Sequence, residues 1–258
     1  MSNAVRGPRR SRTGRGLRLG LGLLLTAAGL TPARAIEGGG APRPGDALER
    51  AAVGIGTVTR PEDTYRIARC SGVLVAADLV LTAAHCVAGD PLGSVVVFYR
   101  GSTPVGPPYF GQVIARYTPD RGELPSNAVG ANLAELSVDL AVLKLATPVR
   151  GRVPVPLAAD PRRVPTSLQL AGVGLSGRTV GRLRTATLVP VAATSTGLTI
   201  ARAVGARICF GDSGGPAVAR DRRGVYVWGV ASAVITGQPP CGNLVVIAPA
   251  AQVFAAVR

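Results

Sequence analysis

Short apolar or alternating segments, most of them rich in valine, recur along this chain at 53–58, 70–75, 94–100, 110–118 and 139–145, and again at 167–174, 184–191, 216–220, 225–232 and 243–248. Glycine, proline, aspartate or serine bounds them, which is the pattern of short strands separated by turns. Only 249–258 reads as a helix, with Pro249 at a first position that needs no amide donor and alanines after it. The pattern predicts an all-β chain. Three prolines within 148–156 mark a linker between two halves, 36–150 and 151–258. Strand counting alone leaves a barrel and a sandwich equally open.

Composition agrees with that picture and adds a leader. Thirty-four glycines and 21 prolines in 258 residues supply many turns, and a hydrophobic content of 47% suffices for a sizeable core. Residues 1–35 differ from the rest: Arg6, Arg9, Arg10, Arg12, Arg15 and Arg18 precede an uncharged 19–30 segment that ends in Ala33-Arg34-Ala35. This is the layout of a signal peptide. The uncharged stretch falls short of the roughly 20 residues a spanning helix needs. Export is therefore expected, to the periplasm or the medium, with no membrane attachment after cleavage. Arg9-Arg10 lends weak support to twin-arginine export. A second charge-free run, 225–257, is interrupted by Gln238-Pro239-Pro240-Cys241-Gly242-Asn243 and reads as strand, loop, strand and terminal helix.

The formal charge of +15 includes seven leader arginines and no leader acid, leaving 22 basic and 14 acidic residues in the remainder. Between 161 and 211 there is no acid, but Arg162, Arg163, Arg178, Arg182, Arg184, Arg202 and Arg207 lie there. These arginines are scattered without the interleaved aromatics of single-strand binders. They read as a solvated face, and no nucleic-acid partner is expected. Cys70, Cys86, Cys209 and Cys241 in an exported chain with one histidine imply two disulfides rather than a metal site, in any of three pairings.

Candidate chemistry is concentrated in two stretches. The single histidine lies in Leu81-Thr82-Ala83-Ala84-His85-Cys86, and far downstream stands Gly211-Asp212-Ser213-Gly214-Gly215-Pro216. A serine hydroxyl is a poor nucleophile at neutral pH and needs an imidazole to take its proton and a carboxylate to orient that imidazole. The two stretches resemble the signatures of the chymotrypsin-like (trypsin-like) serine endopeptidases, T-A-A-H-C around the base and G-D-S-G-G-P around the nucleophile. The resemblance extends over 36–258. It implies two antiparallel six-stranded β-barrels with a C-terminal helix, His85 and Asp139 coming from the first and Ser213 from the second.

On that resemblance Ser213 is the nucleophile, His85 the general base and then acid, and Asp139 the orienting carboxylate. Asp139 opens Asp139-Leu140-Ala141-Val142-Leu143-Lys144-Leu145, similar to the family's strand, with Glu135 its nearest rival. The amides of Gly211 and Ser213 are implied to form the oxyanion hole. The resemblance also pairs Cys70 with Cys86 and Cys209 with Cys241. It pairs Asp212 with the ammonium of a mature N-terminus, for which Ile36-Glu37-Gly38-Gly39 stands where the family usually has I-V-G-G; a cut after Ala35 during export exposes Ile36.

Arg207, six residues before the nucleophile, occupies the place of the specificity-pocket base. Two readings stay open: it receives acidic substrate side chains, or it turns to solvent and leaves an apolar pocket near Ile208. Arg or Lys specificity is not expected under either. Ser232 resembles the family's S-W-G serine, with Ala233 and Val234 following it, unless Trp228-Gly229 is that pair in a shifted register. Gly172-Val173-Gly174-Leu175-Ser176-Gly177 satisfies a dinucleotide-binding pattern, but no helix pattern or spaced acid follows, so it is set aside. The expectation is a monomeric exported serine endopeptidase acting on proteins or peptides without metal or organic cofactor. Its rival is a non-catalytic binding protein (adhesin or effector) on the same fold.

Overall fold

The computed structural model describes residues 35–117, 138–158, 163–176, 179–236 and 241–255. All but the last residue of the expected leader, the rival Glu135, Arg162, Arg178 and the end of the chain beyond 255 lie outside that set.

Two closed six-stranded barrels dominate. The first is built from β1 (Ala52–Thr59), β2 (Arg66–Ala76), β3 (Leu79–Thr82), β4 (Pro91–Arg100), β5 (Thr103–Tyr117) and β6 (Leu140–Leu145), in the order β1-β2-β3-β6-β5-β4. The second is built from β7 (Leu168–Gly172), β8 (Arg184–Ala193), β9 (Thr199–Ala203), β10 (Pro216–Asp221), β11 (Gly224–Thr236) and β12 (Leu244–Pro249), in the order β8-β9-β12-β11-β10-β7. Every strand pair is antiparallel. Closure leaves no edge strand in either barrel, which removes the template for edge-to-edge aggregation.

Alternation chooses the inner face. In β8, Ala186 and Leu188 are buried while Thr187 and Val189 face outward. Strand β6 has no such alternation until Lys144, because both of its faces are covered up to that point: Leu140, Ala141, Val142 and Leu143 are all buried. Two of the barrel strands escape the sequence pattern. Strand β3 is only four residues long and runs into the histidine motif, and β9 carries Arg202 among its apolar residues. A one-turn helix, α1 (Ala47–Ala51), also escapes it, although Asp46 caps it by accepting from the amides of Leu48 and Glu49 at 2.6 and 3.0 Å.

The expected C-terminal helix is corrected in extent. Pro249 is the last residue of β12, paired with Gly229, and the helix α2 spans Gln252–Ala255. Proline is tolerated at a strand end because it supplies no ladder donor. Among the described residues no helix is long and apolar enough to cross a membrane.

The 148–156 stretch joins the barrels and is bonded to each. Val149 N and Val155 N donate to Ala77 and Leu74 of the first barrel, and Val227 of the second donates to Pro156 O at 2.8 Å. Residues 36–40 lie on the second barrel: Ile36 is fully buried in its core, and Gly40 exchanges backbone bonds with Thr185.

Cys70 is bonded to Cys86 and Cys209 to Cys241. The first bridge ties β2 to the short 3₁₀ turn Ala84–Val87 that carries His85. Replacing both Cys70 and Cys86 by alanine should lower the unfolding free energy by about 3 kcal/mol, the chain-entropy value for a loop of that length. The check is a lower urea midpoint, with a steeper slope because the freed loop exposes more surface on unfolding.

Candidate active site

His85 lies in the 3₁₀ turn that follows β3 after Ala83, and Asp139 immediately precedes β6; β3 and β6 are neighbours in the first barrel. The pairing sets the imidazole against the carboxylate. His85 Nδ1 lies 2.8 Å from Asp139 Oδ2, and the His85 amide donates to Oδ1 at 3.0 Å. The carboxylate therefore holds both the ring and the backbone of the same residue. A third donor comes from the second barrel, where the Ser232 hydroxyl donates to Asp139 Oδ2 at 2.6 Å.

Burial and charge oppose each other here. Asp139 has a side chain only 2% exposed, so desolvation pushes its carboxyl up, but the charge and hydrogen bonds of His85, with the Ser232 hydroxyl, outweigh that and leave it below the usual range. Desolvation likewise pushes His85 down, and the Asp139 charge and hydrogen bond reverse this, so the imidazole titrates above its ordinary value. The carboxylate is thus ionised at neutral pH and the ring Nδ1–H is directed at it.

Ser213 follows the short strand Ile208–Cys209 and precedes β10. Both His85 and Ser213 touch the sulfur of Cys86, which lies 3.8 Å from His85 Nε2 and 3.7 Å from Ser213 O. That sulfur is in a disulfide and has no hydrogen to donate, so these are packing contacts. No hydrogen bond joins the Ser213 hydroxyl to His85 Nε2 in this structure. In resting enzymes such bonds are often long and tighten when substrate arrives.

The backbone around Ser213 is pinned at almost every peptide. Asp212 N donates to Cys209 O, Gly214 N to Ala231 O, and Gly215 N to Asp212 O. Among the described residues, the amides of Gly211 and Ser213 donate to no protein acceptor. Gly211 has φ +89°, and a Cβ there would lie 2.6 Å from the Gly174 carbonyl carbon, so only glycine fits the turn. The two sequence-expected oxyanion donors are therefore the two loop amides left for an outside acceptor.

Asp212 is fully buried beneath this loop. Its Oδ2 accepts from Ile36 N at 3.0 Å and from Cys209 N at 2.8 Å, while Oδ1 is without a partner among the described residues. Desolvation dominates and pushes its carboxyl up to about 7, despite the amides of Cys209 and Ile36 that donate to it. Ala35, still joined to Ile36, is itself buried against Gly174.

The remaining expected residues divide. Ile208 is buried in the second core. Arg207 bonds Glu37 at 3.0 Å and the Cys241 carbonyl at 2.8 Å, and its amide donates to Glu37 O. The two departures from the family pattern, Glu37 and Arg207, thus meet in one ion pair. Trp228 is buried in the second core and donates to Thr199 at 3.3 Å, whereas Ser232 reaches Asp139. One residue escaped the sequence reading altogether: Ser71, whose hydroxyl sits between the barrels and donates to Gly211 O at 2.8 Å. Its position next to Cys70 carried no signal of that role.

The family model Trypsin matches residues 56–256. No curated protein matches the chain. Among solved structures, HL collagenase is similar at 20% identity with a TM-score of 0.63, over 86% of this chain and 96% of that one. The active form of the Rv3671c protease from M. tuberculosis is similar at 22% identity with a TM-score of 0.52, over 81% of this chain and 80% of that one. These two likenesses bear on the fold; the family match spans most of the chain, including both barrels and both motif segments. This chain belongs to the trypsin family of serine peptidases.

Proposed function

We propose that this chain is an exported serine endopeptidase in which Ser213, His85 and Asp139 form the catalytic triad. One observation carries the reading: a buried, ionised Asp139 holds His85 by ring and backbone, while the two amides flanking Asp212 stand without acceptors among the described residues. Ser213 Oγ attacks the peptide carbonyl carbon and its proton passes to His85 Nε2. The carbonyl oxygen, now an anion, takes the Gly211 and Ser213 amides. Collapse of the tetrahedral species breaks the C–N bond as Nε2 returns the proton to the leaving amine, and water repeats the cycle on the acyl-enzyme. Asp139 stabilises the imidazolium without itself taking the proton.

The mature chain starts at Ile36 in this reading, released by the cut that removes the leader. Asp212, with one oxygen unpartnered and no charge beside it, offers the place for the ammonium that the cut creates. The mature protein acts alone on proteins or peptides in the periplasm or the medium. Arg207, engaged by Glu37, leaves the pocket near Ile208 without an acid at its base, so cationic side chains gain nothing there.

A fluorophosphonate should label Ser213, and Ser213→Ala should abolish both labelling and peptide hydrolysis; a wild-type protein that never labels favours the binding-protein rival instead. Asp139→Asn should lower kcat by about 10⁴-fold. The acid limb of kcat/KM should fall at a pH above the ordinary histidine value, because only the neutral ring accepts the proton.

In the uncleaved chain Asp212 binds its proton more tightly folded than unfolded, so stability should decline as pH rises from about 4 to about 7. Asp212→Asn should flatten that slope in urea unfolding, and secreted protein beginning anywhere but Ile36 contradicts the activation step. A peptide-library digest should show little cleavage after Arg or Lys; strong cleavage there overturns the specificity reading.

A further inference from the structure

We infer that Ser71 is a positioning residue for the oxyanion hole, a role that rests on the peptidase reading above. Ser71 lies on β2 of the first barrel, is 1% exposed, and directs its hydroxyl and its amide to groups across the seam. Its hydroxyl donates to Gly211 O at 2.8 Å and accepts from Val173 N at 3.0 Å. Its amide donates to Ser213 O at 2.8 Å, and its carbonyl accepts from the Thr82 hydroxyl at 2.8 Å.

The hydroxyl acts on one particular peptide plane. The Gly211–Asp212 peptide is anchored at both ends, by Cys209 O on its N–H and by Ser71 Oγ on its carbonyl. The preceding peptide, Phe210–Gly211, carries the Gly211 N–H that faces the oxyanion. Neither Phe210 O nor Gly211 N hydrogen-bonds a described residue, and the Phe210 side chain is 41% exposed. That peptide is thus held only through its neighbours. A glycine at φ +89° has no side chain to resist rotation, so fixing the plane that follows it is the direct way to keep the donor aimed. Ser71 supplies that anchor from the opposite barrel, and the second anchor, on Ser213 O, holds the other donor's residue.

Removing the hydroxyl should affect the transition state more than the ground state, since the oxyanion forms only there. Ser71→Ala and Ser71→Gly should lower kcat by about 10- to 100-fold, somewhat less than deletion of an oxyanion donor, with KM within about twofold. A peptide boronate should lose affinity in proportion to kcat/KM, a change that a residue merely tying the barrels together does not produce. Should both variants fail to fold, the wild-type boronate complex decides: its crystal structure should keep Ser71 Oγ within hydrogen-bond distance of Gly211 O while Gly211 N contacts the boronate oxygen. A Gly211 carbonyl turned away from Ser71 with the hole intact overturns the inference, as do variants with unchanged kcat and boronate affinity. A wild-type protein that binds no boronate and labels with no fluorophosphonate overturns the peptidase reading itself, which keeps the two failures apart.

Discussion

A carboxylate taken out of water must be surrounded by donors or give up its charge, and Asp139 meets that condition with groups from both barrels. Its own barrel provides the ring and amide of His85; the other provides the Ser232 hydroxyl. The charge it keeps is what raises the basicity of the imidazole. Because the third donor crosses the seam, the electrostatics of the site depend on the two barrels being packed together as they are, and separating them leaves a buried acid without one of its partners.

The loop carrying Ser213 poses the same problem with a second buried carboxylate. Asp212 is buried under it with one oxygen unpartnered, and Ser71 reaches across the seam to hold the loop from above. The loop is short of side chains able to hold it: glycine occupies 211, 214 and 215. Its shape is instead imposed by bonds to its backbone, some closing local turns, as from Asp212 to Cys209, and others reaching Ser71 and Ala231, which are distant in sequence. A Cβ at Gly214 would run into Thr82 and the Ser71 carbonyl, so the glycines are required by the closeness of the two barrels as much as by the turn.

Glu37 and Arg207 illustrate how a departure from a family pattern acquires meaning in three dimensions. Each by itself looks like the loss of a familiar residue. Together they form an ion pair, with a backbone bridge beneath it, that ties the Ile36 segment to the strand leading into the Ser213 loop. Both side chains are more than 40% exposed, so solvent screens the attraction and the pair sets position more than stability.

The linear order of residues determined the strand-rich character, the motif carrying the histidine and the glycine-framed serine, since each of these is written in neighbouring positions. It foresaw neither β3 nor β9, whose apolar runs are too short or interrupted to stand out, and it extended the terminal helix back over a proline that belongs to a strand. Local pattern has no access to contacts such as Ser71 with Gly211, 140 residues apart, or Ser232 with Asp139, 93 apart. Barrel closure and the packing of one barrel on the other decided those, because the partner of a buried polar group is chosen by whatever donor or acceptor the fold brings into the same dry space.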